Sequence, residues 1–275
     1  MERLDSPENR LSVSLKTDLG CVRQINEDAC RCRIPSDPQL LETKGVISLI
    51  ADGMGGHSGG EVASSIAVDV ITRAYYESKR SPRDALKQAF EIANQEIYHA
   101  AIADKALEGM GTTCTALVVC GEQAFAAHVG DSRLYLLREG EIYLMTEDHS
   151  AVMEMVKLGI ITAEQARHHE DKNVIIRALG TSAAVEVALW ETPMQVRDND
   201  RFLLCSDGLY DLMEDVEIRD LVLNSVDHHS ACEALVARAR GRGGYDNITV
   251  GIVKVGGGYP APRTVRETRE AEVVL

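Results

Sequence analysis

The chain has 275 residues, of which 29 are basic and 43 acidic, giving a net charge of −14; 45% are hydrophobic and 26% charged. That length supports one large domain or two small ones with a core that needs no disulfides. A negative field of this size excludes a general nucleic-acid binder, because it repels phosphate backbones.

Residues 1–10 read as a flexible leader. Leu11 to Leu15 alternates at period two and predicts a strand, and Gly45 to Ala51 is a β-branched run that predicts a buried strand ending at Asp52 and a glycine cluster. Glu61 to Glu77 repeats apolar residues near a 3.6 period. A second helix starts with Ser81 as N-cap and Pro82 in its first turn, and runs to about Leu107. Strand patterns resume over Thr112–Cys120, Gln123–Val129 and Arg133–Leu137, and Arg138 to Glu141 predicts a hairpin turn into Ile142–Met145. Ser150 to about Arg167 predicts two short helices broken at Gly159. Further strands are expected at Val185–Trp190, Arg201–Cys205 and Asn247–Val255, with helices at Val216–Leu223 and His229–Arg240. From residue 256 the composition predicts a flexible charged tail. Blocks of strands and blocks of helices, without strict alternation, indicate an α+β fold of antiparallel sheets covered by helices.

The seven cysteines form no Cys-x-x-Cys pair, Met1 to Arg10 is polar, and no apolar run reaches the roughly 18 residues that span a bilayer. Reduced thiols in a cytoplasmic protein without a secretory signal are the expectation. Cys232 and Arg238 have the spacing of a cysteine phosphatase loop, but the stretch between them is glycine-free and helical in pattern, which predicts a core cysteine. The cluster Gly53–Gly60 lacks the Gly-Lys-Ser/Thr ending of a nucleotide loop. The adjacent pairs His168-His169 and His228-His229 are expected to be solvated or capping, and His128 and His149 structural.

Acidic residues keep more informative company. Glu27-Asp28, Asp52-Gly53, Asp131, Asp207-Gly208 and Asp246-Asn247 each fall at or near a predicted strand end. Any one of these suits a turn; five in one chain propose a shared pocket. Like charges about 4 Å apart repel by roughly 4 kcal/mol at an effective dielectric of 20, so such a pocket needs cations or raised pKa values. An all-oxygen donor set suits Mg²⁺ or Mn²⁺ better than zinc.

Eight segments carry a resemblance in order: Arg23-Gln-Ile-Asn-Glu-Asp28, Asp52-Gly-Met-Gly-Gly-His57, Gly111-Thr-Thr113, Val129-Gly-Asp-Ser-Arg133, Glu147-Asp-His-Ser150, Arg177-Ala-Leu-Gly180, Ser206-Asp-Gly-Leu209 and Asp246-Asn-Ile-Thr-Val250. Together they resemble the metal-dependent serine/threonine protein phosphatases of the PPM, or type 2C, family in its bacterial form. The resemblance implies one domain over residues 11–255, built as a four-layer αββα sandwich with a helical flap at about 150–172. It implies two Mn²⁺ or Mg²⁺ ions, bridged by Asp52, with Asp207 and Asp246 on one and Glu27 and the Gly53 carbonyl on the other. Asp28 would orient a water, Arg23 would grip the substrate phosphate, and Asp131 with Asp207 would hold a third, weaker ion. The implied reaction is hydrolysis of phosphoserine and phosphothreonine in proteins by metal-activated water, without a phosphoenzyme. The implied partners are phosphoproteins made by a cognate kinase, for a monomer with no nucleic-acid or membrane partner. Met54 stands where many eukaryotic members carry histidine, and the general acid stays unassigned, since His57 is not given that role. The alternative is a catalytically weak phosphoprotein-binding module on the same fold. Loss of Asp52, Asp207 or Asp246 would favour it, and all three are present.

Overall fold

The computed structural model of the chain describes residues 2–6, 11–55, 59–256 and 271–274. From the N-terminus it forms β1 (Glu2–Ser6), β2 (Leu11–Asp18), β3 (Asp28–Ile34), a short α1 (Pro38–Lys44) and β4 (Val46–Met54). Two long helices follow, α2 (Gly59–Glu77) and α3 (Pro82–Ala103), then β5 (Gly111–Thr112), β6 (Cys114–Cys120), β7 (Gln123–Val129), β8 (Arg133–Arg138) and β9 (Glu141–Leu144). Helices α4 (Ala151–Lys157) and α5 (Ala163–Arg167) lead to β10 (Ala188–Leu189), β11 (Met194–Gln195) and β12 (Arg201–Cys205). Last come α6 (Asp207–Tyr210), α7 (Asp215–Asn224), α8 (His228–Gly241), β13 (Ile248–Val255) and β14 (Ala271–Val274).

The strands make two antiparallel sheets, one ordered β1-β2-β13-β12-β8-β9, the other β10-β7-β6-β4-β3-β14 with β11 beside β7 and β5 beside β4. Central strands carry apolar residues on both faces, as strands covered on both sides do. From β4, Val46 and Ile50 meet Leu15, Phe202 and Leu204 between the sheets. Ile47, Leu49 and Ala51 face the opposite way, into a core with Ile71 of α2 and Phe90 of α3. On the other sheet, Leu203 and Cys205 turn outward onto Ile218 of α7 and Leu235 of α8. The four-layer αββα sandwich expected from the sequence follows from that alternation.

Ser81 accepts a hydrogen bond from the Asp84 amide at 3.3 Å, and Pro82 opens α3 as expected. The helix stops at Ala103 rather than Leu107, and Lys105–Leu107 form a separate 3-10 turn. Glu139 and Gly140, with φ of 55° and 86°, supply the two left-handed residues a tight hairpin needs. Other findings also differ from expectation. Strand β3 and helix α1 carried no prediction, because Cys30 and Cys32 act there as small apolar residues of the inter-sheet core. The strand expected over Val185–Trp190 contracts to Ala188–Leu189. His228, expected to be solvated or capping, is buried at the start of α8.

Within the stretches read as a flexible leader and tail, Glu2–Ser6 pairs with β2 and Ala271–Val274 with β3. Each adds a strand to a sheet edge whose N–H and C=O groups would otherwise lack partners. Residues 1, 7–10, 257–270 and 275 of those stretches lie outside the described residues, as does His57.

Candidate metal and phosphate site

Five chain segments meet at one edge of the sandwich. The β3–β4 ladder sets Asp28 opposite Asp52. The Gly53 amide donates to the Glu27 carbonyl at 3.0 Å, and the Glu27 amide donates to Asn247 Oδ1 at 2.8 Å. Ser206 Oγ donates to Asp28 Oδ2 at 2.8 Å and accepts from the Thr249 amide at 3.0 Å. Gly208 packs so closely on the next strand that a Cβ there would lie 2.0 Å from the Asn247 carbonyl oxygen. Gly53 is equally confined, between Gly60 and the Glu27 carbonyl. These contacts bring Glu27, Asp28, Asp52, Gly53, Asp207 and Asp246 together. Asp207, expected at a strand mouth, begins the short helix α6 two residues after β12 ends, with Ser206 between them.

Arg23 stands at the rim with a half-exposed side chain. Its guanidinium donates to Asp246 Oδ2 at 2.8 Å and lies 3.6 Å from Glu27 Oε2. The hydrogen bond to Asp246 raises its pKa, against the effect of burial.

The carboxylates are costly neighbours. Burial first, then Asp28, Asp207, Asp131 and Asp246, push Asp52 well above the ordinary carboxylate range. Burial, Asp131 and Asp246 do the same to Asp207. Burial pushes Asp28 up to about 6, although the nearby Thr249 and Ser206 hydroxyls oppose it. Asp131 rises to about 7 by burial and the Asp148 charge, and burial raises Glu27.

Three carboxylate oxygens here, Glu27 Oε1, Asp28 Oδ1 and Asp207 Oδ1, are buried without a hydrogen-bond partner. Unpartnered buried acceptors of negative charge call for a cation. Among the described residues no three His, Cys, Asp or Glu side chains are gathered into a closed chelating group. Bound cations would relieve the mutual repulsion of these carboxylates. The donors are all oxygen, with no histidine among them, so they fit hard ions of the Mg²⁺ or Mn²⁺ kind.

Asp131 lies on the β7–β8 turn, in the lining of a cavity of about 580 Å³ that it shares with Arg133, Asp148, Arg167, Lys172 and Asp211. Helices α4 and α5 break at Gly159, φ 69°, as the sequence predicts. Lys172 pairs with Asp211, and Arg167 with Glu214 at 2.9 Å, so two salt bridges tie the α5 region to the α6–α7 segment. His128 and His149 stack at 4.7 Å, and the Gly130 amide donates to His149 Nδ1 at 3.0 Å, in keeping with structural roles. Cys232 is fully buried in α8, and burial pushes its thiol up to about 12. A thiolate nucleophile has no place there.

Sequence reasoning missed three supports. Ser206 fixes Asp28. Thr113 holds both backbone groups of Asp52, donating its amide to the carbonyl at 2.8 Å and accepting the amide on Oγ1 at 3.0 Å. Asn247 Nδ2 donates to the carbonyls of Leu19 and Ile25, each at 3.1 Å, and so shapes the loop carrying Arg23. All three stand inside the ordered motifs, which assigned them no role; that membership was the available signal.

A family model described as protein phosphatase 2C matches residues 22–244. The serine/threonine phosphatase stp of Listeria welshimeri is 35% identical over 249 residues, covering 89% of this chain and 96% of that protein. The crystal structure of the Mycobacterium tuberculosis serine/threonine phosphatase PstP/Ppp superposes with a TM-score of 0.79 at 34% identity, covering 90% of this chain and 99% of that one. A structure of the PstP catalytic domain in complex with two manganese ions gives a TM-score of 0.75 at 33% identity, with 90% and 99% covered. The ordered motifs, the αββα sandwich and the carboxylate-lined edge thus have one common explanation: the chain belongs to the protein phosphatase 2C family.

Proposed function

We propose that this protein hydrolyses phosphoserine and phosphothreonine in proteins, in a single displacement by water and without a phosphoenzyme. The observation that carries the reading is the set of buried, unpartnered carboxylate oxygens on Glu27, Asp28 and Asp207 beside the half-exposed Arg23. Asp52 would be shared between two divalent ions, Asp207 and Asp246 would serve one, and Glu27 with the Gly53 carbonyl the other. Asp131 with Asp207 would hold a third, weaker ion. Bound there, such ions supply a water acidic enough to attack near neutral pH and neutralise charge on the phosphoryl oxygens.

The chain's own residues do the rest. Arg23 offers a planar fork that matches two phosphate oxygens, and phosphate would take the place of Asp246 and Glu27 on it. Asp28, with one oxygen fixed by Ser206, keeps the other free to accept a proton from the attacking water. The catalytic domain spans residues 11–255, and the flap over 150–172 covers the Asp131 side of the site.

No helix among the described residues is long and apolar enough to cross a membrane, and all seven cysteines are free thiols, which suits a reducing cytoplasm. We assign the protein there as a monomer acting on the products of a serine/threonine kinase. The test is substrate choice in Mn²⁺. Phosphothreonine and phosphoserine peptides should be hydrolysed, and bis-p-nitrophenyl phosphate should not. A preference for the diester would point to another phosphoesterase, and tight peptide binding without turnover to a binding module.

A further inference from the structure

Four large apolar side chains stand exposed on the two paired loops that carry Arg23 and its partner Asp246. Leu19, Val22, Ile25 and Tyr245 are 39%, 62%, 42% and 65% exposed. They occupy two short loops, 19–25 and 243–246, and make up four of the thirteen large apolar side chains exposed among the described residues. Singly exposed apolar residues are ordinary, but a group confined to eleven residues is not.

The two loops are one unit. The Cys21 amide donates to the Gly244 carbonyl at 2.8 Å. Arg23 bonds Asp246 at 2.8 Å. Asn247 holds the carbonyls of Leu19 and Ile25. Gly20, with φ 78°, lets the loops close, since a Cβ there would sit 2.1 Å from the Asp246 carbonyl oxygen. Val22 is therefore one residue from the arginine proposed to bind phosphate, and Tyr245 one residue from its carboxylate partner. The backbone under both is pinned, so their exposure is built in and ordering them costs little on binding.

We infer that these loops form an apolar rim that receives hydrophobic residues flanking the phosphorylated side chain of a substrate polypeptide. The inference rests on the phosphatase reading, because a phosphate on Arg23 brings the residues beside it over this rim. The occupant is also set by charge. The rim borders a carboxylate cluster in a chain of net charge −14, which disfavours acidic flanks, and the exposed groups themselves offer apolar surface.

Two phosphothreonine peptides that differ only in carrying Leu or Ser beside the phosphothreonine test it, with wild type and with a Val22→Ser, Tyr245→Ser double variant. The wild type should prefer the Leu peptide about tenfold in kcat/KM. The variant should lose that preference while p-nitrophenyl phosphate turnover is unchanged. Equal rates on both peptides by the wild type, or a parallel loss on p-nitrophenyl phosphate, would overturn the rim. Fluorescence anisotropy with non-hydrolysable phosphonate versions of the peptides reads the same preference as affinity. The rim is thereby tested even if hydrolysis fails, and wild-type turnover of p-nitrophenyl phosphate reports separately on the phosphatase reading.

Discussion

Ser206 shows how one hydroxyl can decide what a carboxylate does. It donates to Asp28 Oδ2 at 2.8 Å and leaves Oδ1 buried without a partner. Ser206→Ala should lower kcat about tenfold with KM nearly unchanged, and Ser206→Thr should restore part of it; steady-state kinetics on a phosphothreonine peptide checks both. Asp207 tests the electrostatics. Its pKa, like that of Asp52, is raised in the fold, so the metal-free native state binds protons more tightly than the unfolded chain. The cluster's stabilising protonation is complete below the unfolded value near 3.8 and is lost as pH rises through the folded values, about 6 for Asp28. In chelator at pH 8, Asp207→Asn should therefore raise Tm, by about 2–4 °C for each kcal/mol of repulsion removed. The gain should shrink toward pH 5. Taking the difference between variant and wild type cancels the opposite contribution of His149, which burial pushes down to about 3. A constant or negative difference would mean the carboxylates do not repel. The acidic residues were legible because each lies at or near a predicted strand end, usually beside glycine or asparagine. Ser206, Thr113 and Asn247 were not, because a hydroxyl or amide earns its role from a partner far away in sequence.

Elements with a strong local signal appeared where expected: the Ser81 cap, the Glu139-Gly140 hairpin and the Gly159 break. Strand β3 was hidden because its inward residues are cysteines between arginines, a pattern that reads as polar until a core surrounds it. The ladder that sets Asp28 opposite Asp52 was hidden with it, so convergence could be argued from chemistry but not seen. Helix α6 was hidden by its length, which propensity alone cannot sustain. Ser81→Ala should cost about 1 kcal/mol and Phe90→Ala, fully buried under α3, about 3–5 kcal/mol, measured by urea unfolding. Two salt bridges join the α5 region to the α6–α7 segment. Replacing both Lys172 and Arg167 by Ala should speed hydrogen exchange over 151–172 and leave β4 and β13 unchanged. Exchange rising equally everywhere would mean these pairs support the whole fold.

Across the whole molecule, the surface charge and the site pull in different directions. A net charge of −14 attracts divalent cations and basic peptides and repels acidic ones, by an amount that salt screens. Peptides with Lys or Arg flanks should be hydrolysed faster than matched peptides with Glu flanks, and the ratio should fall toward one between 50 and 500 mM salt. A ratio indifferent to salt would place the discrimination in direct contacts. The central claim is that the carboxylate edge works by holding divalent ions. Phosphate release from a phosphothreonine peptide by chelator-treated protein, before and after Mn²⁺ and beside Asp207→Asn, tests it most directly. The account predicts no activity after chelation, recovery with Mn²⁺ in the wild type, and none in the variant. Activity that survives chelation and is lost on thiol alkylation would contradict it.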